Sequence, residues 1–193
     1  MNRATLTVIS LIAAFGFGTL SAGYAFTHWI DISGQQSGPW QWRSAPFQSQ
    51  NDPYSRAIDH ISGQLPIGAA EGRIYTASQD SDGRTLMPNC NYRLEGNVPA
   101  ARLFTLRVET ADGVLLLAQP GLPSALHSDQ LLFQQTRFEI TVSASAQPGN
   151  WLALAAPGPF TLVLTYYGTA IINDENGDSV RLPAIIREAC NGV

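Results

Sequence analysis

The stretch Arg102-Leu103-Phe104-Thr105-Leu106-Arg107-Val108-Glu109 alternates without a break. Phe104, Leu106 and Val108 point one way; Thr105, Arg107 and Glu109 point the other. A period of two marks a strand with one face in a core and the other toward water. Phe138, Ile140 and Val142 repeat it against Glu139, Thr141 and Ser143, and so do Phe160, Leu162, Leu164 and Tyr166. Turn signals separate these runs: Asp82-Gly83, Asp112-Gly113, Pro148-Gly149 and Asn176-Gly177. From Arg73 onward the chain therefore predicts a mainly β fold, an antiparallel β-sandwich or jelly-roll-like domain.

Upstream the period changes. Asp52 suits a helix N-cap, Pro53 the first helical position and Gly63 the stop. Ala57, Ile58 and Ile61 form an apolar face at helical spacing, so one short helix is expected there, held by tertiary packing. Gly34 to Asn51 is rich in Gly, Gln, Ser and Pro and reads as a linker, with Trp40, Trp42 and Phe47 interspersed. These aromatics suit either a membrane interface or the edge of the domain.

Residues Ala4 to Phe26 carry no charge; Arg3 precedes them and Asp31 is the first charge after them. As a helix this segment is about 34 Å long and spans a bilayer. Arg3 orients it with the N-terminus in the cytoplasm and the domain outside. It reads as a retained anchor or a cleaved signal peptide. Small-residue cleavage sites exist at Ser21-Ala22-Gly23 and Gly23-Tyr24-Ala25, but the apolar run exceeds the usual signal core of about 7–15 residues, which favours the anchor. Ser10, Ala14, Gly18 and Ala22 form a small-residue stripe at four-residue spacing, suited to pairing with another membrane helix. The organisation expected is thus a transmembrane anchor or signal segment over residues 1–30, a linker over 31–51 and a β-sandwich domain over 52–193. The compartment expected is the inner membrane with a periplasmic domain, or the periplasm itself if the leader is removed.

Composition narrows the function. Charged residues make up 13% of the chain, about half the usual share. All eleven basic residues are Arg and none is Lys, which excludes Schiff-base chemistry and a P-loop lysine. The Arg residues are scattered among acids and the net charge is −4, so nucleic acid is not an expected partner. The two cysteines, Cys90 and Cys190, pair naturally in an oxidising compartment; two separate buried thiols are the alternative.

No catalytic signature stands out. Ser124, His127 and Asp129 fall within six residues, but triads are assembled from separated elements, and no nucleophile elbow accompanies them. His28, His60 and His127 share no metal-ligand spacing, so no metal and no cofactor are expected. Asp174, Asn176 and Asp178 resemble the start of a calcium loop whose register then fails at Gly177 and Ile185. Glu71, Arg73 and Tyr75 share one face of a strand, and Tyr92 and Arg102 are candidates to join them: carboxylate, guanidinium and phenol together orient a polar or anionic ligand. A solvent-facing ion pair on a sheet edge is the plainer reading. Trp151 is a stacking surface for a sugar or lipid, or a core residue.

An ordered set of motifs carries a resemblance. It runs Asp52-Pro53-Tyr54, Arg56-Ala57, Gly63, Leu65-Pro66, Ala70-Glu71-Gly72, Cys90-x-Tyr92 and Pro99-x-Ala101-Arg102. It continues with Thr105-Leu106, Gly149-Asn150-Trp151-Leu152, Leu182-Pro183-x-Ile185, Arg187 and Cys190. The chain resembles the bacterial family called domain of unknown function 1214, in a short, stand-alone form with a membrane leader. Leu103-Phe104 departs from the bulkier aromatics expected after the Arg. The resemblance implies a β-sandwich-type domain and no established activity. The polar motif positions suited to chemistry or ligand binding are Tyr54, Arg56, Glu71, Tyr92 and Arg102. The function expected is a membrane-anchored envelope module that binds a protein, lipid or glycan. The alternative is an enzyme on a polar or carbohydrate-like substrate, with Glu71 as acid/base and Arg102 holding an anionic group.

Overall fold

The computed structural model describes residues 2–28, 35–42, 67, 71–168 and 181–190. The chain divides into two units, residues 1–33 and 34–193. The expected helix at residues 52–63, with Tyr54 and Arg56, and the turn at residues 174–178 lie outside the described residues.

The first unit is the helix α1, Arg3–His28. Its part Arg3–Tyr24, 22 residues with a mean hydropathy of 1.7, is long and apolar enough to cross a membrane. Leu11, Phe15 and Phe17 are among its exposed side chains. Four of its hydroxyls bond its own backbone: Thr7 donates to the Arg3 carbonyl at 2.6 Å, Ser10 to Thr7 at 2.9 Å, Thr19 to Phe15 at 2.9 Å and Ser21 to Gly18 at 3.0 Å. That self-sufficiency is what a lipid surround demands of polar groups.

The second unit contains two β-sheets. Its strands are β1 (Gln35–Ser37), β2 (Trp40–Trp42), β3 (Gly72–Ala77), β4 (Cys90–Asn97), β5 (Leu103–Thr110), β6 (Ala125–His127), β7 (Phe133–Gln134), β8 (Arg137–Ser143), β9 (Trp151–Ala153), β10 (Phe160–Tyr167) and β11 (Ala184–Cys190). A six-stranded sheet runs β1-β2-β3-β10-β5-β6; a five-stranded sheet runs β11-β4-β8-β7, with β9 also on β8. All pairings are antiparallel except β8 with β9. The sheets face each other through aromatic contacts: Phe104 of β5 meets Phe138 of β8 at 5.2 Å, and Tyr92 of β4 meets Phe160 of β10 at 5.7 Å between ring centroids. The fold is therefore a mainly antiparallel β-sandwich.

The alternating runs form their strands as their period requires. Phe104, Leu106, Val108, Phe138, Ile140, Val142, Phe160, Leu162, Leu164 and Tyr166 are all buried. The Asp-Gly turns work because Gly83 and Gly113 adopt φ of 82° and 79°, a region costly for residues with a Cβ. The central strand β10 departs from strict alternation. Val163 and Thr165 on its outer face are buried too, beside Arg107, whose Nη1 reaches the Thr165 hydroxyl at 3.5 Å.

The stretch expected as linker differs from that expectation. Residues 35–42 form the β1–β2 hairpin, which joins the sheet through Gln41 opposite Thr76. Trp40 is fully buried and its indole donates to the Pro183 carbonyl at 2.7 Å, while Trp42 packs edge-on to Tyr75. Burying two indoles outweighs the polar composition around them.

Candidate ligand-binding site

The contacts between the sheets define two ends. One holds the start of β5 and β8, the end of β10 and β4, and the start of β3. The other holds Tyr92, Phe160 and the two cysteines.

The second end is a structural clamp. Cys90 and Cys190 form a disulfide across 100 residues of sequence. Asp80, 1% exposed, accepts from Arg84 Nε at 3.2 Å and Arg187 Nε at 2.8 Å, and from the backbone N–H groups of Asp82 and Arg84. Burial alone would raise the Asp80 pKa; the hydrogen bond from the Arg84 backbone and the charges of Arg187 and Arg84 outweigh it and hold the carboxyl below its usual value. Ser81 adds two bonds to the Ile185 backbone. The Arg187 and Ser81 contacts tie β11 to the β3–β4 connection, the disulfide ties it to the start of β4, and the Arg84 and backbone bonds fix the Asp80 turn itself.

The residues singled out from sequence divide between the ends. Tyr92 lies in the clamp: its hydroxyl accepts from Met87 N at 2.7 Å and donates to Met87 O at 3.2 Å, and Arg187 stacks over its ring. Trp151 is half-buried beside β8, its indole donating to the Ser143 carbonyl at 3.1 Å. Glu71, Arg73 and Arg102 gather at the opposite end. The Gly168 N–H donates to the Glu71 carbonyl at 2.8 Å, and the Arg102 side chain lies over Gly168. Both Glu71 and Arg102 are exposed. Six residues of β10, about 20 Å, separate this group from Tyr92. Elsewhere, Ser124 accepts from Ala118 N at 2.8 Å and is thereby fixed as a loop support.

The first end contains more than sequence reasoning assembled. Arg73 and Tyr166 are direct cross-strand neighbours on the inner face of the six-stranded sheet. Arg73 is 6% exposed, and its Nη1, like the Tyr166 hydroxyl, has no hydrogen-bond partner. Burial, helped by the neighbouring Tyr75, raises the Tyr166 pKa above the ordinary phenol value. On the five-stranded sheet, Glu95 of β4 stands directly opposite Glu139 of β8 on the outer face. They line an open cavity of about 420 Å³ with Asn97, Gln134, Arg137 and Arg181. Glu95 is ion-paired to Arg93, which also holds Glu188 at 2.8 Å. Gly96 permits this corner to close, because a Cβ there would lie 2.9 Å from the Phe138 ring and 3.0 Å from Pro183.

Known proteins resemble this chain in fold more than in detail. The VPA0106 protein from Vibrio parahaemolyticus aligns with 72% of the chain at 18% identity and a TM-score of 0.57; the match spans 36% of that longer protein, about a third of its length. An uncharacterised protein from Burkholderia cenocepacia aligns with 73% of the chain and 44% of its own length, at 18% identity and a TM-score of 0.45. No curated protein matches the chain. Residues 71–171, which run from Glu71 to just beyond β10, match the family described as protein of unknown function (DUF1214). On that match, which covers more than half of its length, the chain belongs to the DUF1214 family.

Proposed function

We propose that this protein is a cell-envelope binding module, anchored by α1 in the inner membrane with its sandwich on the periplasmic side. The observation that carries the reading is the bridged pair Cys90–Cys190 behind an uncharged helix of membrane-spanning length. Stable disulfides belong to oxidising compartments, and Arg3 before the helix favours a cytoplasmic N-terminus. The module binds rather than reacts: many of its charged groups are tied up in a structural clamp at one end, while an open, polar cavity lies at the other. Protease treatment of spheroplasts and the intact mass of the membrane-extracted protein test this. Protection of the sandwich from external protease would refute the orientation, and a mature mass starting near residue 24 would refute the anchor.

Within this reading the stripe Ser10, Ala14, Gly18 and Ala22 serves helix pairing. Gly18 has no neighbouring atoms around its Cβ position, so a partner backbone can approach there. Gly18→Leu is expected to abolish co-purification with an envelope partner; unchanged association would refute pairing. A hydrolase acting on a carbohydrate-like substrate is the second reading. The opposed carboxylates Glu95 and Glu139 in one cavity favour it. Turnover of an oligosaccharide that Glu139→Gln abolishes would establish it.

A further inference from the structure

Eight Arg side chains fall within the described β domain, and they sort by place. Arg84, Arg93, Arg107 and Arg187 are ion-paired, to Asp80 and Asp82, to Glu95 and Glu188, to Glu109, and to Asp80. They occupy the middle of the sheets and the clamp. Among the described residues, Arg73, Arg102, Arg137 and Arg181 have no ion pair, and all four lie at the end of the sandwich where β3, β5, β8 and β11 begin. In a chain with fifteen acids to eleven bases, charge shortage does not explain four unpaired guanidiniums in one place. Arg137 and Arg181 line the same cavity as Glu139, yet neither pairs with it. Arg73, more than nine-tenths buried with Nη1 unpartnered, lies on the inner face of the other sheet and does not line this cavity; the exposed Arg137 and Arg181 are the two guanidiniums that do. A guanidinium stays charged at any physiological pH, so two unpaired ones on one cavity wall present a standing positive charge to a ligand.

We propose that this end of the domain binds an acidic oligosaccharide, its carboxylate or phosphate held by Arg137 and Arg181 and its hydroxyls by Asn97, Gln134 and Glu139. Guanidinium forks match carboxylate and phosphate geometry, and side-chain amides and a carboxylate supply the donors and acceptors that sugar hydroxyls need. A phospholipid fits less well, because the cavity's apolar lining is limited to Phe138, Leu182 and Ala184 and gives no broad wall for acyl chains. The inference deepens the binding-module reading by naming its ligand class, and binding in solution tests it separately from localisation.

The experiment is calorimetric titration of the full chain in neutral detergent. The probes are trigalacturonate, sialyllactose and glucose 6-phosphate, with maltotriose as the neutral control and phosphatidylglycerol mixed micelles in the same detergent as the lipid arm. At least one acidic sugar is expected to bind at least tenfold more tightly than maltotriose. Its affinity should fall about tenfold or more in Arg137→Gln/Arg181→Gln, with the melting temperature unchanged. Arg84→Gln, which removes a paired Arg in the clamp at the opposite end, should retain binding. Failure of all three acidic sugars overturns the proposal. So does equal binding of maltotriose, an unchanged affinity in the double variant, or binding of the phosphatidylglycerol micelles alone.

Discussion

The Nε of Arg187 donates to the buried carboxylate of Asp80 at 2.8 Å, joining β11 to a turn 107 residues earlier in the chain. The same guanidinium lies 5.5 Å from the centroid of the Tyr92 ring and donates to the Thr85 carbonyl. One carboxylate thus organises two arginines, two backbone N–H groups and an edge strand.

Replacing Asp80 with Asn should destabilise the domain by about 2–4 kcal/mol, since it strands the partly buried Arg187. The pH dependence has a definite sign. Asp80 has a lowered pKa in the folded protein, so its stabilisation is fully present above about pH 4 and is lost as pH falls through the lower folded value. Denaturant unfolding between pH 2 and 7 should therefore show a shallower acid limb in the variant. An acid limb as steep as the wild type would assign that dependence to other carboxylates.

The disulfide should contribute about 2–5 kcal/mol, because it closes a long loop in the unfolded chain. Cys90→Ser/Cys190→Ser is expected to fold less stably by that amount and to lose the mobility change on reduction seen in the wild type. Equal denaturant midpoints with and without reductant would show that the clamp of Asp80, Ser81 and Arg187 is sufficient alone.

Gly96→Ala should cost about 1–3 kcal/mol through overpacking against Phe138 and Pro183. Phe138 is 3% exposed and packed on Phe104, so its ring has little room to retreat. Thermal unfolding measures the loss; a neutral result would mean that β4 and β11 separate easily at this corner.

Tyr166→Phe removes a buried hydroxyl without a partner, and should leave stability unchanged or raise it by about 1 kcal/mol. Because the Tyr166 pKa is raised on folding, its neutral form is favoured in the native state. That contribution is fully present below about pH 10 and is lost as pH rises toward the folded value. The variant should lose less stability between pH 10 and 12 than the wild type does. A marked destabilisation at neutral pH would instead reveal a bond made by this hydroxyl.

The strands were legible where a core face alternates over several residues, as in Phe104, Leu106 and Val108. The β1–β2 hairpin was not, because three-residue strands carry too short a period and the surrounding Gly, Gln and Ser resemble a tether. The parallel pairing of β9 on β8 has no local signal at all. The cysteine bridge followed from number and compartment. The polar end was half-legible: Glu71, Arg73 and Arg102 share it, while Tyr92 fell in the clamp because its position depends on which sheet β4 joins. Arg137 and Arg181 escaped notice because neither stands in a motif; only the meeting of β8 and β11 beside β4 brings them into one cavity.

The place of β10 between β3 and β5 has a kinetic consequence. Residues 72–77 and 103–110 are not neighbours until residues 160–167 arrive to join them, and β11 closes the other sheet from residues later still. A chain synthesised from its N-terminus therefore has no way to complete either layer early. The sandwich assembles in a late, slow step after nearly all of the chain has been made, which would leave it threadable during the export proposed above.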